Sequence, residues 1–379
     1  VEFVLEHTDD TSRGRAAYFL TDHGKVETPI FMPVGTQGTV KCVEQRELVE
    51  IGAEIILANT YHLALRPGTE LLEQAGGLHR FMNWDRPILT DSGGYQLYSL
   101  TALRRIDADG VTFQSHIDGS RHRFTPERVI EIQRCIGSDI MMILDECPPA
   151  DCGFEYARRS HELTLRWAER ARTHLDAHSP LYDHKQYAFG IVQGNVFEEL
   201  RAESVRALTA LGFDGYAIGG LAVGEPAEVM YRITEMTTDL LPEHRPRYLM
   251  GVGTPVNIVE CISRGVDMFD CVMPTRNGRN AMVFSKDGPL TIKKERYLHE
   301  FIPIDEDCDC YSCSTFTRSY IANLFRTREI LGLQLASIHN LAFYLRLTRD
   351  ARNAILHNCF GEWKDAFVRR YQAGISENV

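Results

Sequence analysis

Apolar residues fall into short unbroken runs separated by longer amphipathic stretches. The runs are TPIFMPVGT (28–36), EIILANT (54–60), RPILTDSGG (86–94), DIMMILDEC (139–147), YAFGIVQG (187–194), GYAIGG (215–220), RYLMGVG (247–253) and VDMFDCVMP (266–274). Such runs suit strands buried on both faces of a parallel sheet, because a sheet with one wet face alternates apolar and polar positions. Helical patterns lie between them, among them EYARRSHELTLRWAERARTHLD (155–176), EELRAESVRALTALG (198–212) and PAEVMYRITEMTTDLL (226–241). In FTPERVIEIQRCIG, Thr125 reads as an N-cap, with Pro126 at the first helical position and Glu127 in the first turn. Strand–helix alternation of this kind predicts a (β/α)8 TIM barrel, with an open doubly wound sheet as the alternative. The stretch 98–122 separates the third run from its helix and reads as a hairpin excursion. The DG of VFSKDGPLT (283–291) reads as a second hairpin.

The runs end in a telling way: at Asn59, Asp91, Asp145, Gln193, Gly219–Gly220, Met250–Gly251 and Asp270. In a parallel barrel these ends meet at one rim, where active sites of the fold lie. Any one of them is ordinary strand termination, and Asp91 alone is an ordinary turn residue in TDSGG. Together they read as a site. Two carboxylates, Asp91 and Asp270, suit cleavage of a glycosidic bond through an oxocarbenium-like state, one attacking the sugar and the other handling the leaving group. Asp145 and Gln193 offer the acceptors and donors that the edge of a planar heterocycle requires. Tyr95 and Met250 could clamp its faces or simply pack in the core.

The cluster CDCYSC places Cys308, Cys310 and Cys313 together. A downstream histidine would close a tetrahedral zinc site with no position left for water, hence a structural one. His339 is the favoured fourth ligand, with His299 and His357 as the other candidates. The expected organisation is a barrel built from 1–280 and 340–379, with a zinc-binding subdomain over 281–339. A net charge of -11 argues against a general nucleic-acid binder but leaves room for a local basic face, and Arg276, Arg279, Lys286, Lys293, Lys294 and Arg296 cluster just past the last run. No apolar run reaches the ~20 residues that cross a bilayer. The first residues lack a secretory pattern, so a cytoplasmic protein with no membrane partner is expected.

The ordered series NTYHLALRPG, GGLHRFMNWDRPILTDSGGYQ, GVTFQSHIDGS, GSDIMMILDEC, GIVQG, GFDGYAIGGLAVGE, YLMGVG, GVDMFDCVMPTRNGRN and CDCYSC…HN resembles the tRNA-guanine transglycosylases, nearly end to end. The resemblance implies a (β/α)8 barrel with a structural zinc subdomain, acting as a homodimer on the wobble guanine of a tRNA anticodon loop. It implies that Asp270 is the nucleophile on the ribose and Asp91 the acid/base for the incoming deazaguanine. Asp145, Gln193 and Gly220 would read the base edge, with the Leu221 carbonyl on its substituent and Asn59 beside them. Tyr95 and Met250 would stack on the base, and Arg276 and Arg279 would lie near the flanking nucleotides. Val223 and Cys147 resemble the bacterial form, which takes 7-aminomethyl-7-deazaguanine. The alternatives are a queuine-incorporating enzyme and, further off, a non-catalytic RNA-binding paralogue, which would lack a rim carboxylate. A barrel glycoside hydrolase, usually rich in tryptophan for sugar stacking, fits poorly with three tryptophans. The chain departs from the family at Thr254, where lysine is frequent, and at Ala322 and Asn323, where bacterial members often carry a histidine pair near the dimer contact.

Overall fold

A computed structural model describes residues 1–99 and 104–378. Its central sheet is parallel and its strands follow chain order round a ring. They are β1 (Ile30–Met32, resumed after Pro33 by Val34–Gly35), β2 (Ile56–Ala58), β3 (Ile88–Thr90), β4 (Ile140–Met142), β5 (Tyr187–Val192), β6 (Gly215–Ile218), β7 (Arg247–Leu249) and β8 (Met268–Asp270). The ring closes through the two halves of β1. Asp270 pairs with Met32 on one side, and Val34 pairs with Leu57 on the other. Pro33 has no N–H to donate, but its carbonyl accepts Leu57 N at 2.9 Å, so the strand changes neighbour at that residue. The barrel is therefore eight-stranded and closed, as the apolar runs predict.

The strands are short and almost wholly buried, as their unbroken apolar runs require: every residue of β2, β3, β4 and β6 is buried. The helices cover them at the predicted places, including Phe154–Ala177, Glu198–Ala210 and Ala227–Leu240. Pro126–Ile136 begins as its sequence indicates, with the Thr125 side chain accepting Arg128 N at 3.2 Å. Thr254 caps Pro255–Ile262 in the same way, through Asn257 N at 3.2 Å.

The excursion after β3 is larger than a hairpin. Arg104–Asp107, Gly110–Gln114 and Arg121–Phe124 form a three-stranded antiparallel sheet, and residues 100–103 of the excursion lie outside the described residues. The DG hairpin is present as Met282–Ser285 paired with Gly288–Thr291. A three-stranded sheet before the barrel, Phe3–Thr8, Arg15–Thr21 and Gly24–Thr28, has no counterpart in the sequence reading. Its strands mix charged and apolar residues, which blurs their period.

That sheet supports the N-terminal end of the barrel, where three aspartates stand just before strands. Asp139, Asp214 and Asp267 precede β4, β6 and β8 and accept the strand amides Ile88 N, Ala188 N and Arg247 N at 2.8, 3.0 and 2.7 Å. Asp139 and Asp267 also face a cationic or protonatable group from the first 23 residues: His23 at 2.7 Å, and the Arg15 guanidinium at 2.6 and 2.8 Å. Hydrogen bonds of this kind hold strand starts in register at the end opposite the rim where Asp91 and Asp270 stand.

Candidate active site

Asp91 and Asp270 come together at the C-terminal rim. Asp91 follows β3, and its carboxylate is gripped from the β2 side. Oδ1 accepts Thr60 N at 3.0 Å and Gly93 N at 3.2 Å, while Oδ2 accepts Asn59 Nδ2. Asn59 in turn caps its own helix through His62 N at 3.0 Å, so its amide orientation is set. Despite three donors, Asp91 is raised from 3.8 to about 7, first by burial and then by the negative charge of Asp270. That interaction places the two carboxylates in one electrostatic neighbourhood. Tyr248 reports the same thing, because its hydroxyl is pushed well above its usual value by burial, then by Asp270, and also by Asp91.

Asp270 is held asymmetrically. Oδ1 accepts the Tyr248 hydroxyl at 2.6 Å and Gly251 N at 2.8 Å, whereas Oδ2 accepts no hydrogen bond among the described residues. Burial raises its pKa and these two donors oppose the rise. One oxygen is thus anchored and the other is left open, a disposition suited to attack on an electrophilic carbon.

Beside the pair lies a polar floor. Gln193 Nε2 donates to Asp145 Oδ2 at 2.7 Å, and Ser92 Oγ donates to Asp145 Oδ1 at 3.0 Å. Asp145 and Gln193 are buried, and burial raises the Asp145 carboxyl. Gln193 Oε1 is buried with no partner among the described residues. An orphaned acceptor of this sort costs free energy unless a ligand supplies an N–H. Gly220 has φ +65°, and a Cβ there would lie 2.4 Å from Gln193 Oε1, so only glycine leaves this edge accessible. Leu221 follows, buried, and the loop after it is pinned by Glu225, whose carboxylate accepts Ala222 N and, at 3.1 Å, Val223 N. Met250 is half-buried against the core, and Tyr95, in the helix after Asp91, is 58% exposed.

A guanidinium braces this floor from behind. Arg201 is fully buried, and it donates to Asn195 O at 2.7 Å, Val192 O at 2.8 Å and Gly220 O at 3.5 Å. It ties the ends of β5 and β6 together. Past Asp270 the short helix Met273–Arg279 carries Arg276, exposed, and Arg279, half-buried with Nη1 unpartnered among the described residues.

Cys308, Cys310, Cys313 and His339 also converge. They are buried, with ligand atoms all within 4.8 Å of one another, and His339 Nδ1 lies 3.2 Å from Cys313 Sγ and 3.8 Å from Cys310 Sγ. His339 Nε2 is 2.6 Å from the Phe284 carbonyl, which holds the proton on that nitrogen and turns the Nδ1 lone pair to the sulfurs. Neighbouring Asn340 accepts Phe284 N at 3.0 Å, so adjacent side chains clamp both sides of one residue's backbone. The donor set can hold a metal ion. His299 and His357, the other candidates, are outside the group. The helix bearing His339 runs unbroken over Ile330–Leu356, and the expected boundary at 339/340 falls inside it.

The sequence profile of the family described as queuine tRNA-ribosyltransferase matches residues 9–373. The chain belongs to that family. Among curated proteins named queuine tRNA-ribosyltransferase, it is 53% identical to one from Thermoanaerobacter sp. (strain X514) over 371 residues, 98% of each chain. It is 51% identical to one from Caldanaerobacter subterraneus subsp. tengcongensis over 377 residues, 100% of this chain and 99% of the relative. The Fusobacterium nucleatum subsp. nucleatum relative is 53% identical over 366 residues, 96% of this chain and 97% of its own. For a member of the queuine tRNA-ribosyltransferase family, the rim residues singled out from strand ends are the ones the fold gathers. Tyr248, Thr60, Ser92 and Arg201 escaped that reading. Tyr248 and Thr60 sit within apolar runs and Arg201 within a helix, and only tertiary contacts show what they touch.

No helix among the described residues is long and apolar enough to cross a membrane.

Proposed function

We propose that this chain is a tRNA-guanine transglycosylase that exchanges the wobble guanine of queuosine-family tRNAs for 7-aminomethyl-7-deazaguanine in the cytoplasm. Asp270 Oδ2 attacks C1′ of the ribose, the bond to guanine breaks, and a ribosyl-aspartate ester forms. Asp91, raised to about 7, gives its proton to the departing base and takes one back from the incoming deazaguanine. The incoming base then displaces Asp270, and two inversions give net retention. Asp145, Gln193 and Gly220 read the base edge, the Leu221 carbonyl meets its substituent, Asn59 orients Asp91, and Tyr95 and Met250 sandwich the ring. Arg276 and Arg279 take the flanking nucleotides, the base having left the anticodon stack.

The observation that carries this reading is the asymmetric hold on Asp270 beside an elevated Asp91. Val223, in the loop pinned by Glu225, supports the aminomethyl base over the bulkier queuine. The Cys308, Cys310, Cys313 and His339 set fits a structural zinc, since thiolate and imidazole donors suit zinc and no ligand position is left for chemistry. Such an ion would hold the segment bearing Cys308, Cys310 and Cys313 against the helix carrying His339, and takes no part in the base exchange. A homodimer belongs to the same reading, supported by apolar surface at Phe301, Tyr311, Tyr320 and Ile330 around the metal-bearing segment.

The test is incorporation of labelled guanine into a cognate tRNA. Wild type incorporates label and forms a denaturant-stable tRNA adduct, and Asp270→Ala does neither. Incorporation by Asp270→Ala at the wild-type rate would refute the nucleophile assignment.

A further inference from the structure

The three aspartates under the barrel are not equivalent. Asp267 faces a guanidinium, whereas Asp139 faces two imidazoles. His23 Nδ1 lies 2.7 Å from Asp139 Oδ1, and His79 Nε2 lies 3.2 Å from Asp139 Oδ2. The two rings stack with centroids 3.7 Å apart and planes 11° from parallel, which brings both nitrogens to the same carboxylate. All three ligand atoms are within 4.8 Å of one another. His79 Nε2 is buried and makes no well-directed hydrogen bond among the described residues. His23 and His79, with Asp139 buried behind them, line a cavity of about 500 Å3 together with Asp22, Asp183, Arg80 and His184.

Every one of these residues precedes the strand it serves: His23 before β1, His79 before β3, Asp139 before β4 and His184 before β5. The cavity therefore lies at the end of the barrel away from Asp91 and Asp270, and away from the cysteine cluster.

We propose that His23, His79 and Asp139 form a second metal site, taking a divalent transition ion of the zinc, cobalt or nickel type. Two imidazoles and one carboxylate are the donors such ions favour. A tetrahedral ion with bonds near 2.1 Å holds its ligand atoms roughly 3.4 Å apart, so His23 Nδ1 and Asp139 Oδ1, now at 2.7 Å, need to part by less than about 1 Å to admit it. Asp139 stays in place because Oδ2 is anchored by Ile88 N at 2.8 Å. His184 packs edge-on against His23, centroids 4.7 Å apart, and its Nε2 is 3.0 Å from Gly137 O, so it supports the ring without entering the set. The fourth position faces the cavity and takes water. On binding, the proton shared between His23 and Asp139 leaves to solvent. The ion would join the N-terminal sheet, the helix Leu78–Met82 and the start of β4.

The experiment titrates Co2+ into protein whose cysteine site is already filled with zinc. One further equivalent is expected, with weak visible absorption and no thiolate charge-transfer band. Exchange into the cysteine site announces itself by that band and is counted apart. His23→Gln and His79→Gln should each weaken the further equivalent at least tenfold while retaining cysteine-bound zinc. His174→Gln, which breaks a close histidine pair outside the proposed site (His174 and His178, centroids 4.2 Å apart), should leave it unchanged. Two variants guard against one of them failing to fold. Absence of a further equivalent overturns the proposal, as does one that survives both His23→Gln and His79→Gln or disappears with His174→Gln.

Discussion

Replacing Asp91 by asparagine isolates a charge that the fold holds against its preference. Burial and Asp270 raise Asp91 from 3.8 to about 7. An acid whose folded-state pKa exceeds its unfolded one holds its proton more tightly when folded. Between those two values the folded state carries more protons, so stability falls as pH rises. One unit is worth about 1.4 kcal/mol, and integrating from about pH 5 to about pH 8 gives a loss of roughly 2–3 kcal/mol for wild type relative to a chain without this carboxyl. Asp91→Asn keeps an oxygen for Thr60 N and Gly93 N but turns an NH2 toward Asn59 Nδ2, which is itself a donor. Asn59 cannot turn freely, because its oxygen caps His62 N. This donor–donor conflict costs about 1–3 kcal/mol at any pH. Counting also the part lost between 3.8 and pH 5, Asp91→Asn is therefore predicted to cross wild type between about pH 4.5 and pH 6 and to be the more stable protein near pH 8, with base exchange lost throughout. Urea midpoints of the zinc-loaded proteins, followed by fluorescence across that range, measure the crossing. Parallel stability profiles for the two proteins would refute the elevated carboxyl and its acid/base role.

Tyr248→Phe removes a 2.6 Å hydrogen bond that pulls the Asp270 pKa down, so the acidic limb of the kcat/KM profile should move to higher pH, with kcat lowered about tenfold for loss of one charge-assisted bond. Gly220→Ala places a methyl 2.4 Å from Gln193 Oε1 on a backbone at φ +65°, and KM for the base should rise at least tenfold while the adduct with tRNA still forms, as seen in a trapping gel. His339→Ala should lose the bound metal, measured by elemental analysis, and lower the melting temperature, because three buried cysteines are left without a common partner.

Much of this molecule was legible as a string of letters. Unbroken apolar runs of strand length suit strands buried on both faces, and such strands separated by amphipathic helices form a parallel sheet, here one closed into a barrel rather than left open. Runs ending on Asn59, Asp91, Asp145, Gln193 and Asp270 could then be assigned to one rim, because every parallel strand points the same way. Thr125 and Pro126 announced their helix, and CDCYSC announced a cluster able to hold a metal ion, because a cap and three of the four ligands are close in sequence. The sheet over the first 28 residues was not legible, since its strands take their pattern from what they cover. The three-stranded excursion after β3 exceeded the hairpin expected for the same reason.

Tertiary structure alone decided how the rim residues differ from one another. Sequence placed two aspartates at strand ends but could not say that Asp91 is gripped by three donors and raised, while Asp270 keeps one oxygen open. The grip comes from Asn59, Thr60 and Gly93, the rise from burial and the charge of Asp270, and the asymmetry of Asp270 from Tyr248 and Gly251, most of them brought in from other strands. The stacked histidines on Asp139 are a stronger case, being 116 and 60 residues from it along the chain. A pKa or an orphaned acceptor depends on burial and on neighbours in space, and a linear pattern carries neither.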